Sequence, residues 1–384
     1  MKKIEYIIKH NLFVQKVYKG LFSFIFRVFG LFIKVDKHRV FFQSMIGKTY
    51  SDSPKVIYEN IINNEKFKNY KYVWAFDNPD NFDVPGARKV KLNSLSYFIE
   101  TLKCGIWVTN VDIERGLKYK PKQTIYLNTW HGIPFKYIGN AQKKRNDYNY
   151  EDVDFMCSCC NYMDDIFIRD FNIKKESLVR CGMPRNDYLY DKSNKKIDNL
   201  RKKFNIPKDK KVILYAPTWR DSIDGGQNYV IKPPIDIEFF REKLAKDYVI
   251  LFRMHHLTTK QLGLKFDDFV RDCSVTYDIN ELMMISDILI SDYSATIFDY
   301  SILERPIISF AYDYEQYRDE RGLYIKLEDI LPNSVFKTQE EVVDFILNMD
   351  YDKECEVIRG VKNNYISVGG NAIDVCVKYL ETYL

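Results

Sequence analysis

Residues 212–311 alternate short apolar runs with amphipathic segments, and this alternation limits the possible folds more than any other feature. Strands are expected at 212–215, 249–253, 274–277, 288–291 and 306–311, and helices at 237–246, 280–286 and 296–303. Strands that alternate with helices form a parallel sheet through right-handed crossovers. The second half of the chain is therefore predicted to be an α/β domain.

The first half shows the same alternation less regularly. Strands are expected at 40–44, 72–76, 105–109, 124–128, 154–158 and 178–181, and helices at 54–62, 94–103 and 163–171. A chain of 384 residues exceeds the usual size of one core, and the polar, lysine-rich stretch 191–203 suits a domain boundary. We predict a segment at 1–36, an N-terminal domain at 37–195 and a C-terminal domain at 196–384, which face a central cleft. The last helix is expected either to stay with the C-terminal domain or to pack back on the N-terminal domain.

The N-terminal segment is basic and apolar. Residues 1–40 carry nine basic and two acidic side chains, a net charge of +7, whereas the whole chain is +5 and the rest is −2. Basic residues interrupt the apolar run 12–33, and a membrane span needs roughly 20 apolar residues. We predict an amphipathic helix on an anionic membrane surface, with a helix packed on the protein body and a true span as alternatives. The predicted membrane contacts are Lys16, Lys19, Phe22, Phe26, Arg27 and Phe29.

Several functional classes have no support in the sequence. A Walker P-loop, a GxGxxG fingerprint, an HExxH motif and a GxSxG motif are all missing, which argues against kinases, dehydrogenases, zinc proteases and α/β-hydrolases. No nucleic-acid-binding motif accompanies the basic charge. Cys157, Cys159 and Cys160 lie close together without a second cysteine pair or a histidine at metal spacing. Buried, reduced thiols are therefore favoured over a zinc site.

Four polar clusters each follow a predicted strand. They occupy 130–132, 217–220, 253–256 and 292–294, after the strands that end near residues 128, 215, 252 and 291. In open α/β sheets, ligands bind beyond the carboxyl ends of the strands. We therefore expect these clusters to form the functional site.

Histidines and arginines in these clusters suit phosphate chemistry. His131 and His255 are candidates for a general base and for a charged donor to phosphate, whereas His256 is more easily explained as structural. Arg220 and Arg253 could neutralise a pyrophosphate from two sides, with surface ion pairs as the alternative.

Hydroxyl groups surround the turn into the predicted helix 296–303. Ser291, Ser294 and Thr296, together with free backbone N–H groups, could hold a phosphate there. Ordinary helix capping by the same side chains is the competing explanation.

Taken together, the motifs resemble those of the CDP-glycerol glycerophosphotransferase family, the primases and polymerases of bacterial teichoic-acid synthesis. The matching segments are 128–136, 182–187, 215–220, 253–255, 291–294, 298–300, 312–313, 317–318 and 321–322. The resemblance extends over about residues 40–370, with several independent motifs in the same order and spacing.

The resemblance implies a GT-B-like fold with two Rossmann-like domains, the first on the acceptor side and the second binding the CDP donor. It implies that His131 is the base and that His255, with Arg253, stabilises charge on the donor phosphates. Donor or phosphate binding is implied for Arg185, Thr218, Arg220, Arg253, Ser291, Asp292, Tyr293, Ser294, Thr296 and Asp299, where a structural role for Asp299 stays open. The implied acceptor-side residues are Trp130, Gly132 and Lys136.

The implied reaction transfers glycerol phosphate, or a similar alditol phosphate, from CDP-glycerol to a hydroxyl of a polyprenyl-diphosphate-linked saccharide, with release of CMP. We expect a primase-like, peripheral enzyme on the cytoplasmic face of the membrane, with no cofactor, no metal and no nucleic-acid partner. A GT-B glycosyltransferase that uses a nucleotide-sugar and a non-catalytic membrane-docking module are the alternatives. The donor alcohol, the acceptor, the number of units added and the oligomeric state, a homo-oligomer included, are left open by the sequence.

Overall fold

The structure is a computed structural model that describes residues 12–143, 145–218, 234–254, 265–274 and 278–383. These residues divide into two compact units. Unit 1 takes the described residues of Met1–His131, Lys143–Arg185 and Asn371–Leu384, and unit 2 takes those of Gly132–Gln142 and Asn186–Gly370. The chain thus enters unit 2 at Asn186, whereas the sequence placed this change at residue 196, and the segment predicted at 1–36 belongs with unit 1.

Unit 1 is an α/β unit. Its strands are β1 (Asp36–Gln43), β2 (Lys71–Phe76), β3 (Ala87–Lys91), β4 (Cys104–Thr109), β5 (Ile125–Asn128), β6 (Phe155–Ser158) and β7 (Leu178–Arg180). Its helices are α1 (Leu12–Leu31), α2 (Asp52–Ile61), α3 (Leu95–Lys103), α4 (Asn161–Phe171) and, after unit 2, α13 (Ala372–Glu381). The strands form one parallel sheet in the order β3-β2-β1-β4-β5-β6-β7.

Unit 2 repeats this design. Its strands are β8 (Lys211–Tyr215), β9 (Tyr248–Phe252), β10 (Val270–Asp272), β11 (Ile288–Ser291), β12 (Ile307–Phe310) and β13 (Val335–Phe336). Its helices are α5 (Asn194–Lys203), α6 (Ile237–Leu244), α7 (Ile279–Ile285), α8 (Thr296–Ser301), α9 (Tyr314–Arg321), α10 (Leu327–Ile330), α11 (Gln339–Asn348) and α12 (Tyr351–Tyr365). The strands are parallel, in the order β10-β9-β8-β11-β12-β13.

Both sheets have the strand order of a doubly wound fold. In each, the first strand of the unit lies at the centre, and the chain runs first to one side and then to the other. The strand order therefore reverses between β1 and β4 in unit 1 and between β8 and β11 in unit 2. Such a reversal opens a crevice at the carboxyl ends of the strands. Polar side chains beyond these strand ends are thus placed where a ligand can reach them.

The central strands are buried on both faces. In β4 every residue is buried, and in β9 and β11 the same is true. Parallel strands covered by helices on both sides read as continuous apolar runs rather than as alternating patterns. This explains why the predicted bounds of most central strands agree with the observed bounds to within two residues.

The two-residue strand β13 (Val335–Phe336) was not predicted, and two longer strands were misjudged from the sequence. The edge strand β3 (Ala87–Lys91) was missed because its alternating charged residues leave only Val90 buried. The strand predicted at 274–277 is instead β10 (Val270–Asp272), and Ser274 follows it as a turn, while residues 275–277 lie outside the described part of the chain. Both are short strands with little apolar sequence.

The N-terminal helix α1 packs on unit 1 with one face. The ring of Phe26 stacks on Phe98 with centroids 4.1 Å apart and also contacts Tyr119. Lys19 forms an ion pair with Asp147 at 2.7 Å. The predicted membrane contacts Phe26 and Lys19 therefore point toward the protein body, which corrects the sequence prediction for these two residues.

The opposite face of α1 is exposed and apolar. Lys16, Arg27 and Phe29 are exposed, while Phe22 is half-buried beside Tyr18 and Phe26. Further exposed apolar residues on and just after this helix are Val17, Leu21, Phe24, Val28, Leu31 and Phe32. Within the described residues, no helix has both the length and the apolar character needed to cross a membrane.

Candidate functional site

His131 lies just beyond the carboxyl end of β5 in unit 1. Its Nδ1 atom is 2.7 Å from the backbone carbonyl oxygen of Asn110, which follows the neighbouring strand β4. A carbonyl oxygen only accepts hydrogen bonds, so Nδ1 carries a proton and donates it to Asn110. In the neutral ring the lone pair is then on Nε2, the atom that a general base uses. The strand ends thus select the tautomer of this histidine.

Trp130 supports His131 from the protein interior. It is a non-glycine residue with φ of +55°, a left-handed conformation that occurs mainly where the surroundings impose it. Its backbone N–H donates to the side-chain oxygen of Asn128, and its ring packs edge-on against Phe167 and Phe171. Only 7% of the residue is exposed. The Trp130 side chain thus anchors the turn that carries His131, and its predicted contact with an acceptor stays a prediction.

Arg185 is the last residue of unit 1 before the chain enters unit 2, and it forms a buried ion pair. Its guanidinium lies 2.6 Å from a carboxylate oxygen of Asp52, and each side chain is 10% exposed. Its backbone N–H also donates to the hydroxyl of Ser53, at the start of α2. Arg185 thus joins the end of its own motif to α2. Asp52 already neutralises the charge of Arg185, and phosphate binding by Arg185 stays a prediction.

The segment that follows His131 belongs to unit 2. Gly132 has φ of +137°, and Lys136 forms an isolated antiparallel bridge with Leu323. The N–H of Tyr137 donates to the carbonyl of Gly322, and the N–H of Tyr324 donates to the carbonyl of Phe135. These bonds attach the segment to the chain just after α9.

In unit 2 the ends of β8 and β11 are joined through Asp292. One oxygen of its carboxylate accepts the N–H of Thr218 at 2.8 Å and that of Tyr293 at 2.7 Å. Ser291 donates its hydroxyl to the carbonyl of Ala216 at 2.7 Å. The predicted clusters after these two strands are therefore brought together, at the strand-order reversal. Asp292 and Ser291 are buried and hold the two turns in place.

The ring of Tyr293 packs inside unit 2. The residue is fully buried, its ring stacks on Tyr317 at 4.1 Å, and its hydroxyl donates to Asp313 at 2.9 Å. The side chain packs the turn against α9, and a donor-binding role for Tyr293 stays a prediction. Size explains this packing, because a large aromatic ring next to a buried strand contributes most when it is removed from water.

Ser294 and Thr296 form the start of α8. The hydroxyl of Ser294 accepts the N–H of Thr296 at 3.2 Å, and the two hydroxyls are 2.9 Å apart. Both residues are partly exposed. The N-cap residue of α8 is Ala295, which makes no side-chain cap hydrogen bond, so these bonds form a local turn and not the helix cap that the alternative predicted. Phosphate binding by the same hydroxyls stays a prediction.

Arg253 follows β9 in the same unit. Its guanidinium donates to the carbonyl oxygens of Cys273 and Ser274 at 2.7 and 2.6 Å, and its backbone N–H donates to the carbonyl of Tyr215. Burial lowers the pKa of this guanidinium. Its bonds are to neutral carbonyl oxygens, while the carboxylates of Asp278 and Asp272 lie near enough to favour its charged form.

Asp299 lies on α8 beside the chain that enters unit 2. Its carboxylate accepts a hydrogen bond from the side-chain amide of Asn186 at 2.6 Å, and both residues are buried. This contact gives Asp299 a structural role, one of the two that the sequence left open. Arg220, His255 and His256 lie outside the described residues.

Three residues of the site were not singled out from the sequence. Asn110 acts on His131 through its backbone carbonyl, which no side-chain pattern can reveal. Asp52 and Asn186 are partners of Arg185 and Asp299 across more than one hundred residues. For Asn186 and Asp299 a signal did exist, because both lie within the family-like motifs.

Comparisons with known proteins agree with this picture. Residues 24–369 match the family described as CDP-Glycerol:Poly(glycerophosphate) glycerophosphotransferase. A teichoic acid poly(glycerol phosphate) polymerase of Staphylococcus epidermidis is 38% identical over 86% of this chain and 50% of its own length. A teichoic acid glycerol-phosphate transferase of Staphylococcus aureus is 36% identical, over 85% of this chain and 88% of its own.

Among solved structures, the wall teichoic acid polymerase TagF superposes with a TM-score of 0.82 at 32% identity. The match covers 96% of this chain and 97% of that one. The GT-B-like fold of parallel α/β sheets expected from the sequence is thereby supported. The chain spans about half the length of the polymerases of S. epidermidis and Bacillus subtilis that it matches. The family match over most of the chain nevertheless decides its membership: it belongs to the CDP-glycerol:poly(glycerophosphate) glycerophosphotransferase family.

Proposed function

We propose that this protein transfers glycerol phosphate, or a similar alditol phosphate, from CDP-glycerol to an acceptor hydroxyl in teichoic-acid or related polymer synthesis. The observation that carries the proposal is the hydrogen bond between Nδ1 of His131 and the carbonyl of Asn110. It leaves the lone pair of the neutral ring on Nε2, as a base requires, in a chain that belongs to a glycerophosphotransferase family.

In the proposed reaction the acceptor hydroxyl attacks the phosphorus atom that bears the alcohol. A new phosphorus–oxygen bond forms, the bond to CMP breaks, and CMP leaves with the bonding electron pair. His131 takes the proton of the attacking hydroxyl. The protein contributes mainly by positioning the reactants and by offsetting phosphate charge.

We assign binding of the donor phosphates to unit 2. Arg253 supplies a positive charge at the end of β9, and Thr218 and Ser294 supply polar groups beyond β8 and β11. The reversal of strand order between β8 and β11 supports this assignment, because ligands of doubly wound folds bind there. A related TagF variant has been soaked with CDPG.

The finer parts of the proposal concern the acceptor and the membrane. We propose a lipid-linked saccharide as acceptor, addition of one unit in the manner of a primase, and attachment to the cytoplasmic face of the membrane through the exposed face of α1. The exposed apolar residues of α1, flanked by Lys16 and Arg27, support attachment to an anionic surface. We further propose that the transfer needs no cofactor or metal ion.

Product analysis tests the proposal directly. Purified protein is incubated with a lipid-linked disaccharide and either CDP-glycerol, CDP-ribitol or a UDP-sugar, with and without EDTA, and the products are identified by mass spectrometry. We expect a mass increase of one glycerol phosphate and equimolar CMP, with or without EDTA. Transfer from the UDP-sugar alone would establish the glycosyltransferase alternative instead. Absence of transfer from every donor would favour the non-catalytic docking module.

A further inference from the structure

Three cysteines from distant parts of the chain meet in the core of unit 1. They are Cys157 in β6, Cys181 just after β7, and Cys376 in α13. Their sulfur atoms all lie within 4.8 Å of one another, and those of Cys157 and Cys376 are 3.7 Å apart. Cys157 and Cys376 are fully buried, and Cys181 is 3% exposed. In the sequence Cys157 lies close to Cys159 and Cys160, but in the folded protein its neighbours in this group are Cys181 and Cys376.

The spacing of these sulfur atoms suits a metal ion at their centre. A metal–sulfur bond is about 2.3 Å long, so three sulfurs around one ion in a plane are about 4.0 Å apart. The 3.7 Å between Cys157 and Cys376 lies close to this value, and the other two separations are no longer than 4.8 Å. A disulfide requires about 2.05 Å, much shorter than the 3.7 Å between Cys157 and Cys376. The three residues therefore form a ready trigonal set of ligands without rearrangement of the backbone.

The ligand set also indicates which ion would fit. Among the described residues, no histidine or carboxylate joins the three sulfurs in this group. Thiolates bind Cu(I), zinc and iron–sulfur clusters, but structural zinc sites almost always use four ligands and iron–sulfur clusters are typically held by four cysteines. A three-sulfur site in an apolar interior accordingly favours a soft ion that accepts a low coordination number.

We propose that Cys157, Cys181 and Cys376 form a binding site for Cu(I). On binding, thiols that become ligands release their protons to solvent. The ion connects two adjacent strands of the sheet to α13, which returns to unit 1 after the whole of unit 2. Binding to the folded state alone raises stability, so the site would act as a structural clamp on this returning helix.

Titration of the full chain with Cu(I) tests the proposal. The reduced protein is titrated under anaerobic conditions against a competing Cu(I) chelator, and bound copper is measured by mass spectrometry. We expect one equivalent per chain, a thiolate-to-copper absorption band in the near ultraviolet, and a higher midpoint of thermal unfolding. X-ray absorption of the loaded protein should show three sulfur neighbours at about 2.3 Å.

Cysteine variants assign the site. Cys181→Ala and Cys376→Ala should each reduce binding at least tenfold, while Cys104→Ala, a buried cysteine of the same unit outside the group, should keep one equivalent. If an alanine variant does not fold, the serine variant and the X-ray absorption of the wild-type protein decide. Fewer than three sulfur neighbours, full binding by Cys181→Ala, or preferential uptake of one equivalent of Zn²⁺ in competition with Cu(I) would each overturn the assignment.

Discussion

The Nδ1 atom of His131 and the carbonyl oxygen of Asn110 are joined by a 2.7 Å hydrogen bond that links the ends of strands β5 and β4. The bond orients the imidazole ring and selects its tautomer at the same time. A base that is oriented by the backbone of the sheet keeps its geometry as long as the sheet is folded. The role of His131 can therefore be separated from the stability of unit 1.

Replacing His131 should strongly slow transfer without unfolding the protein. We expect His131→Asn to lower the turnover number by about two or more decades, because general-base catalysis contributes about this much. The readout is the rate of CMP release at saturating CDP-glycerol, together with the circular dichroism spectrum. His38→Asn, a change at an exposed histidine of β1, is the matched control and should keep full activity. Equal rates for His131→Asn and the wild type would refute the assignment.

The buried pair of Asp52 and Arg185 should matter for stability. Asp52→Asn leaves the guanidinium in a site where it is only 10% exposed, and we expect a loss of about 3 kcal/mol in the free energy of unfolding. Urea denaturation measures this loss. The double variant Asp52→Asn/Arg185→Met should recover part of it, because the unpaired charge is then gone. If Asp52→Asn is as stable as the wild type, the pair contributes nothing and Arg185 is available for phosphate.

Glu114 should make stability depend on pH. Burial raises the pKa of its carboxyl from 4.5 to about 7, although the N–H groups of Tyr119 and Lys120 and the nearby Lys118 oppose this shift. Between these two values the folded protein keeps the proton and the unfolded chain has lost it, so stability falls as pH rises from about 4.5 to about 7. The expected contribution is on the order of 3 kcal/mol.

The contribution of Glu114 is obtained by difference. Glu114→Gln keeps an acceptor oxygen for the two N–H groups but cannot ionise, so its unfolding free energy should lack this part of the pH dependence. Urea denaturation of both proteins between pH 4.5 and pH 7.5 provides the comparison, and the same change at the exposed Glu176 is the control. Parallel curves for the wild type and Glu114→Gln would contradict the expectation.

Gly322 should be intolerant of a side chain. It has φ of +71°, and a Cβ atom there would lie 2.1 Å from the ring of Tyr137, whose N–H donates to the Gly322 carbonyl. We expect Gly322→Ala to cost about 1–3 kcal/mol and to lower activity, because the Tyr137 segment directly follows His131. Gly360→Ala, in the exposed middle of α12 with no atom within 4 Å, should instead be neutral or stabilising. Thermal unfolding and CMP release measure both variants.

The exposed face of α1 should carry membrane attachment. Val17, Leu21, Phe24 and Val28 recur at helical spacing and so share one face, which lies opposite Phe26. Deleting residues 1–34 would also remove the packing of Phe26 on unit 1, so substitutions test the idea more cleanly. Serine at Leu21, Phe24 and Val28 should abolish sedimentation with anionic vesicles and leave the unfolding midpoint nearly unchanged.

A matched triple variant controls for the loss of apolar surface. Serine at Leu95, Ile168 and Leu347, which are exposed elsewhere on the protein, should leave vesicle binding intact. High salt should weaken binding by the wild type, because Lys16 and Arg27 would meet anionic headgroups. Equal sedimentation of the two triple variants would show that α1 is not the attachment site.

The sequence was a good guide where burial alone decides structure. The central strands, such as β4 and β11, are continuous apolar runs, and their bounds were predicted within about two residues. The position of His131 at a strand end followed from the same pattern. The motif resemblance then identified the family that the comparisons confirm.

The sequence could not show which face a residue takes or which distant residue it meets. The sequence gives no reason to distinguish Phe22, Phe26 and Phe29, but only Phe29 is exposed, because the packing of α1 on Phe98 and Tyr119 decides the orientation of the helix. Tyr293 and Trp130 lie within motifs, yet their rings pack in the core. Contacts such as Arg185 with Asp52 depend on the folded chain and leave no local pattern.

The return of α13 to unit 1 has a consequence for synthesis on the ribosome. Ala372, Cys376 and Leu380 are fully buried in the core that also contains Trp74, Tyr58 and other residues of the first strands and helices. The part of this core that α13 covers thus stays open to solvent while all of unit 2 is being made. The unit whose strands are translated first is therefore the last to be completed. Until then, its uncovered apolar surface is a place where a nascent chain could aggregate or a chaperone could bind.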